Sequence, residues 1–346
     1  MRVVFLGKGG SGKTTTAAGF IRYLSMQGRN VLAIDADINA HLQATLGFDG
    51  KALLLGDEFT MVADYVRGDR ADLASRPMIG TTPPGVGSTM VQPSANDPLM
   101  RSLALKGAGD NAGVSLLTVG GYQSEDIGAN CYHGKLGALC LLLNHMIDGP
   151  LDWIVADATA GTDTAATALF HAYDIQFFVV EPTLKSVSVF NDYLALAVEP
   201  SHPIIPLANK VRTDPDGRRA DLAFLDEHLL RPVMVDFPFD LHSARLMEQG
   251  HAHVQRDVVE RNSAEYAQLL ARACGVSRDW QSMGRQMLTS YANACVNWYN
   301  AYYGQDMVTG VGEGFDWNVH SERWAACGEH RQRSVSASGA GPGAPR

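Results

Sequence analysis

Apolar runs alternate with helical stretches along most of the first 240 residues. The run Arg2–Leu6 predicts a short strand, and Thr14–Gln27 predicts a helix closed by Gly28, a residue suited to helix C-termini. Val31–Asp35 predicts a second strand, Val114–Val119 another, and Leu136–Ile147 an apolar helix. Trp153–Ala156, Ile175–Val180 and Ile204–Ala208 are continuous apolar runs, with Val233–Phe237 as a final candidate strand. Such unbroken runs suit parallel strands buried on both faces. Their alternation with helices predicts an α/β fold with a doubly wound, mostly parallel sheet, which binds ligands outside the strands' carboxyl ends.

Two regions depart from that rhythm. Residues 51–112 contain Pro77, Pro83, Pro84, Pro93 and Pro98 with several glycines, which predicts an irregular insertion or lid. Residues 256–330 read as a helical C-terminal extension carrying Trp280, Trp298, Trp317 and Trp324, after a main domain over 1–255. Residues 331–346, rich in Gly, Ser, Pro and Arg, read as a disordered tail.

Composition narrows the picture. The 346 residues are 46% hydrophobic and 19% charged, enough for a sizeable core. A net charge of −9 argues against broad non-specific binding to DNA or anionic membrane. A strand starting at residue 2 leaves no room for a signal peptide, and no apolar run reaches membrane-spanning length. The five cysteines (131, 140, 274, 295 and 327) are odd in number and widely spaced, so a reducing cytoplasm is expected.

The candidate chemistry begins at Gly7-Lys8-Gly9-Gly10-Ser11-Gly12-Lys13-Thr14-Thr15, placed between the first strand and the first helix. This is a P-loop pattern in its required context. Glycines let the backbone approach phosphate closely, and N–H groups converge at a helix start where the dipole favours anions. Gly9, Gly10, Ser11, Gly12, Lys13, Thr14 and Thr15 are thus candidate nucleotide contacts, with Lys13 on the β/γ-phosphates and Thr14 on Mg²⁺. Asp35-Ala36-Asp37-Ile38-Asn39 follows the second strand at the same sheet edge. Trp153–Asp157 is an apolar strand ending in a carboxylate, which suits an Asp157 that supports Mg²⁺ through water.

Lys8 is not required by an ordinary P-loop. Lys8-Gly9-Gly10-Ser11-Gly12-Lys13-Thr14-Thr15 resembles the deviant Walker A motif of the MinD/ParA/nitrogenase-iron-protein superfamily of P-loop ATPases. That resemblance implies an ATPase that forms a homodimer around ATP, with Lys8 acting across the interface and Asp37 orienting the attacking water. It further implies adenine contacts from Asn209 and Lys210, and from Pro238 and Asp240 within Phe237-Pro238-Phe239-Asp240. The resemblance covers roughly residues 1–255.

Residues 114–135, with Val180-Glu181-Pro182, look like the accessory ATPases of carbon monoxide dehydrogenase, which implies a client protein that is a metalloenzyme. Those proteins carry Cys-x-Cys where this chain has Cys131-Tyr132-His133. A Cys131/His133 pair contributed by two subunits could hold Zn²⁺ or Ni²⁺. The same segment also suits an interface loop without metal. Cys140 suits the core of an apolar helix, and His145 either a distal ligand or a helix cap.

Two other functions stay open. A partition or positioning ATPase needs a basic surface, but residues 282–303 carry one charge, Arg285. An iron–sulfur electron donor needs two cysteines per subunit, yet no second one lies near 157–165.

Overall fold

The computed structural model describes residues 1–71, 73, 81–94, 96–122, 132–149, 151–197, 202–241, 256–295, 297, 300–304 and 306. Its strands are β1 (Arg2–Gly7), β2 (Asn30–Ala36), β3 (Leu105–Lys106), β4 (Val114–Thr118), β5 (Asp152–Ala158), β6 (Ile175–Val180), β7 (Ile204–Val211) and β8 (Val235–Pro238). They form one sheet in the order β3-β4-β2-β5-β1-β6-β7-β8. Every pairing is parallel except that of β3, a two-residue edge strand antiparallel to β4. The doubly wound sheet expected from the apolar runs is therefore present. β1 lies between β5 and β6, so its carboxyl end opens at the point where the strand order reverses.

The helices are α1 (Lys13–Met26), α2 (Leu42–Leu46), α3 (Phe59–Arg67), α4 (Pro98–Leu103), α5 (Tyr132–Asn144), α6 (Leu184–Leu196), α7 (Ala220–His228), α8 (Arg256–Arg261), α9 (Ser263–Cys274), α10 (Trp280–Ala294) and α11 (Asn300–Tyr303). Successive side chains of a strand point to opposite faces. Val3 and Phe5 of β1 enter one core with Phe20 and Ile21 of α1. Val4 and Leu6 enter the other, with Leu139 of α5 and Phe190 of α6.

Residues 51–112, expected as an irregular insertion or lid, carry regular elements among their described residues. They contain α3 and α4, whose Val62, Val66, Leu99 and Leu103 are buried in the core on the α5 side. Pro98, which looked like a breaker, starts α4 instead: its missing N–H falls where a helix has no partner for one. Asp97 caps that helix by accepting from Leu99 N–H at 2.9 Å and Met100 N–H at 3.2 Å.

The helical C-terminal extension touches both faces of the sheet. Val259 of α8 with Tyr266 and Leu269 of α9 belong to the core around α1, while Tyr291 of α10 belongs to the opposite one. α9 lies so close that a Cβ on Gly19 of α1 would sit 1.8 Å from the Tyr266 hydroxyl. Between α9 and α10, Arg278 donates to Asp148 at 2.6 Å and to Asp174. Arg2 reaches the same Asp148 at 2.8 Å. Trp298, Trp317, Trp324 and the tail at 331–346 lie outside the described residues.

Candidate functional site

The turn from β1 into α1 follows a backbone path that only small residues accept. Gly12 has φ +94° and caps α1, and a Cβ there would lie 2.1 Å from the Asn209 amide nitrogen. Glycine is therefore required twice, by conformation and by space. The loop borders a cavity of about 670 Å³ lined by Gly9, Gly10, Gly12, Lys13, Thr14 and Thr15, with Asp37, Asn39 and Lys210 opposite. That volume suits a nucleotide-sized ligand.

Lys13 is buried, and its Nζ donates to Asp37 Oδ2 at 2.6 Å with Asp157 Oδ1 at 3.6 Å. Burial opposes its charged form, but Asp157 and Asp37 outweigh it and raise the pKa. Asp37 Oδ1 accepts from the backbone and side-chain nitrogens of Asn39 at 3.0 and 3.1 Å. Burial works against its ionised form, yet Lys13 and Asn39 hold its carboxyl below the usual range. The Walker-type positions expected from sequence thus converge: strand β5 delivers Asp157, strand β2 delivers Asp37, and both meet Lys13.

Asp157 differs from Asp37 in being left incomplete. It is wholly buried, neither oxygen has a hydrogen-bond partner, and burial raises its pKa to about 6 against the pull of Lys13 and the Thr14 hydroxyl. Asp35 lies beside it, with Oδ2 accepting from Leu42 N–H at 2.8 Å and Oδ1 unpartnered. Burial and the neighbouring Asp157 push Asp35 up to about 7. Buried carboxylate oxygens without hydrogen bonds are costly, and a hydrated divalent cation would relieve that cost. The donor set of Thr14 and Asp157 therefore fits Mg²⁺. Sequence reasoning gave Asp35 no role; its signal was a carboxylate inside an otherwise apolar strand.

Lys8 folds back over its own chain, its Nζ donating to Gly9 O at 3.2 Å and Glu181 Oε1 at 3.1 Å. Asn209 donates to Ser11 O at 2.8 Å, and Lys210, at φ +60°, donates to Gly10 O at 2.6 Å. The segment expected to hold adenine is thus fastened to the P-loop. Pro238 ends β8 and Asp240 follows it, and neither lines the cavity; Asp240 pairs with Arg261 of α8 at 3.1 Å.

The Zn²⁺ or Ni²⁺ expectation gains no support. Cys131 lies outside the described residues, and among those described no group of three or more His, Cys, Asp or Glu is placed to hold a metal. His133 is exposed on the first turn of α5 and borders a separate cavity of about 360 Å³ with Cys140 and His171. His145 bonds Leu141 O at 2.9 Å through Nδ1, as a cap does. Cys140 is buried, its thiol pushed up to about 12, as a core cysteine is. Among the described residues no helix is long and apolar enough to cross a membrane.

Comparison with known proteins agrees with this geometry. The chain is 26% identical over 220 residues to the carbon monoxide dehydrogenase accessory protein CooC of Rhodospirillum rubrum, covering 62% of this chain and 76% of that protein. It is 24% identical over 261 residues to the septum site-determining protein MinD of Buchnera aphidicola, covering 72% and 82% respectively. In fold it matches a ParA family ATPase from Chlorobium tepidum with a TM-score of 0.52 at 18% identity, over 79% of this chain and 96% of that one. The CobQ/CobB/MinD/ParA nucleotide binding domain matches residues 3–254, and the chain belongs to that family of P-loop ATPases.

Proposed function

We propose that this protein is a Mg²⁺-dependent ATPase that closes as a homodimer around two ATP molecules and works as a switch on a client protein. The observation that carries this is the Lys13–Asp37 contact at 2.6 Å, on the wall of the P-loop cavity. An incoming phosphate competes for the Lys13 ammonium. As Lys13 turns to the β/γ-phosphates, Asp37 is released from its counter-ion and left with Asn39, free to accept a hydrogen bond from water. Water oxygen then attacks the γ-phosphorus, the bond to the β-γ bridging oxygen breaks, and the proton passes to phosphate or solvent. Mg²⁺ held by Thr14 and, through its water shell, by Asp157 would supply charge neutralisation on the phosphate oxygens. Lys8 would complete the phosphate site of the partner subunit.

Residues 1–255 would form the ATPase domain, and the extension from 256 would carry client specificity. Similarity to an accessory protein of carbon monoxide dehydrogenase supports a metalloenzyme as the client. The free cysteines 140, 274 and 295 are in keeping with a cytoplasmic setting. Lys13→Ala should abolish ATP binding in calorimetry, and retained tight binding would overturn the assignment. Lys8→Ala should bind ATP as a monomer yet lose the ATP-dependent dimer on a sizing column. Co-sedimentation of the ATP form with DNA or anionic liposomes would instead support a positioning role like that of its MinD and ParA relatives.

A further inference from the structure

Glu181 is the first residue after β6, and its carboxylate joins two lysines from different halves of the nucleotide site. Oε1 accepts from Lys8 Nζ at 3.1 Å and Oε2 from Lys210 Nζ at 3.1 Å. Glu181 is itself fixed: its N–H donates to Ser186 Oγ at 3.1 Å, within the capped first turn of α6. Burial works to raise its pKa, but the bonds from Lys8 and Lys210 outweigh it and keep the carboxyl ionised. Lys8 is thus held against a carboxylate of its own subunit. To reach phosphates in a partner, its ammonium must leave this carboxylate.

We propose that Glu181 is a latch on Lys8, holding the ammonium in its own subunit and so raising the threshold at which the ATP-loaded dimer forms. The proposal rests on the two-subunit ATPase assigned above. Lys210 makes the latch reversible, because Glu181 keeps one cation when Lys8 departs and is never left as an unpaired charge. The Lys8–Glu181 pair is partly exposed, at 26% and 15% for its two side chains, so the latch is weak. A symmetric dimer opens two of them, and the effect counts twice.

The test compares wild type with Glu181→Gln and Glu181→Asp. Dimerisation is measured by sedimentation with Mg²⁺ and a non-hydrolysable ATP analogue. Lys8 accessibility is measured by reductive methylation of the nucleotide-free proteins, with mass spectrometry at that residue. Glu181→Gln should tighten the dimer roughly 2- to 30-fold, label Lys8 faster, and lose its advantage at high salt. Glu181→Asp, one methylene too short to span both lysines, should fall between.

Unchanged Lys8 labelling would overturn the contact itself. A weaker dimer would make Glu181 a support of the closed site and overturn the latch, as would faster labelling without tighter association. A wild type that stays monomeric with the analogue, whatever its labelling, would overturn the two-subunit site and leave the latch nothing to gate.

Discussion

Two clusters of buried charge sit at opposite ends of the same sheet, and they are built on opposite terms. At the amino ends of β1 and β6, Asp148 accepts from Arg2 at 2.8 Å and Arg278 at 2.6 Å. Asp174 accepts from the Arg2 N–H at 2.6 Å and from Arg278. Burial alone would favour the protonated form of Asp148, yet the two arginines hold it far below the usual carboxylate range. At the carboxyl ends, one lysine serves both Asp37 and Asp157, while both Asp157 oxygens and one Asp35 oxygen lack a hydrogen-bond partner. The same residue types do different work in the two places. Saturated charges fix the shape of the fold; unsaturated ones wait for a ligand.

The largest test of that contrast lies at the saturated end. Arg278→Ala strands charge on Asp148 and Asp174 and should cost about 3 kcal/mol in urea unfolding, with nucleotide affinity of the folded protein unchanged. Loss of affinity without loss of stability would reverse the assignment of the two ends. At the unsaturated end the sign should invert. Asp35 has a raised pKa in the fold, so ionisation is easier in the unfolded chain, and wild-type stability falls between about pH 4 and its folded value of about 7. Asp35→Asn removes that fall: equal to wild type in acid, it should be more stable at pH 8 by on the order of 2 kcal/mol. Parallel stability curves for the two proteins would show that Asp35 carries no such strain.

Much of this is legible in the sequence. The buried strands reveal themselves as unbroken apolar runs because each is covered on both faces, and β6 falls on Ile175–Val180 as read. Lys13 was readable from the glycine pattern that follows β1, and Asp37 and Asp157 because each sits at the carboxyl end of an apolar run. The rest required tertiary contacts. α3 and α4 were hidden among prolines, since Pro98 starts a helix or stops one according to where Asp97 puts the cap. Arg278 meets Asp148 across 130 residues and Asp174 across 104, a separation no local pattern encodes. The family resemblance implies an adenine contact at Asp240, and its pairing with Arg261 of α8 is a tertiary contact that no local pattern shows. Glu181 was visible only as a family marker until its two lysines came into place.

Arg278 also has a meaning in time. Asp148 and Asp174 emerge from the ribosome with Arg2 already made, whereas Arg278 follows more than a hundred residues later. Until it arrives, Asp174 has the Arg2 N–H without its guanidinium partner. The segment between α9 and α10 therefore completes this cluster late in the chain. A chain stopped before it would be exposed to misfolding even though its entire P-loop had been translated.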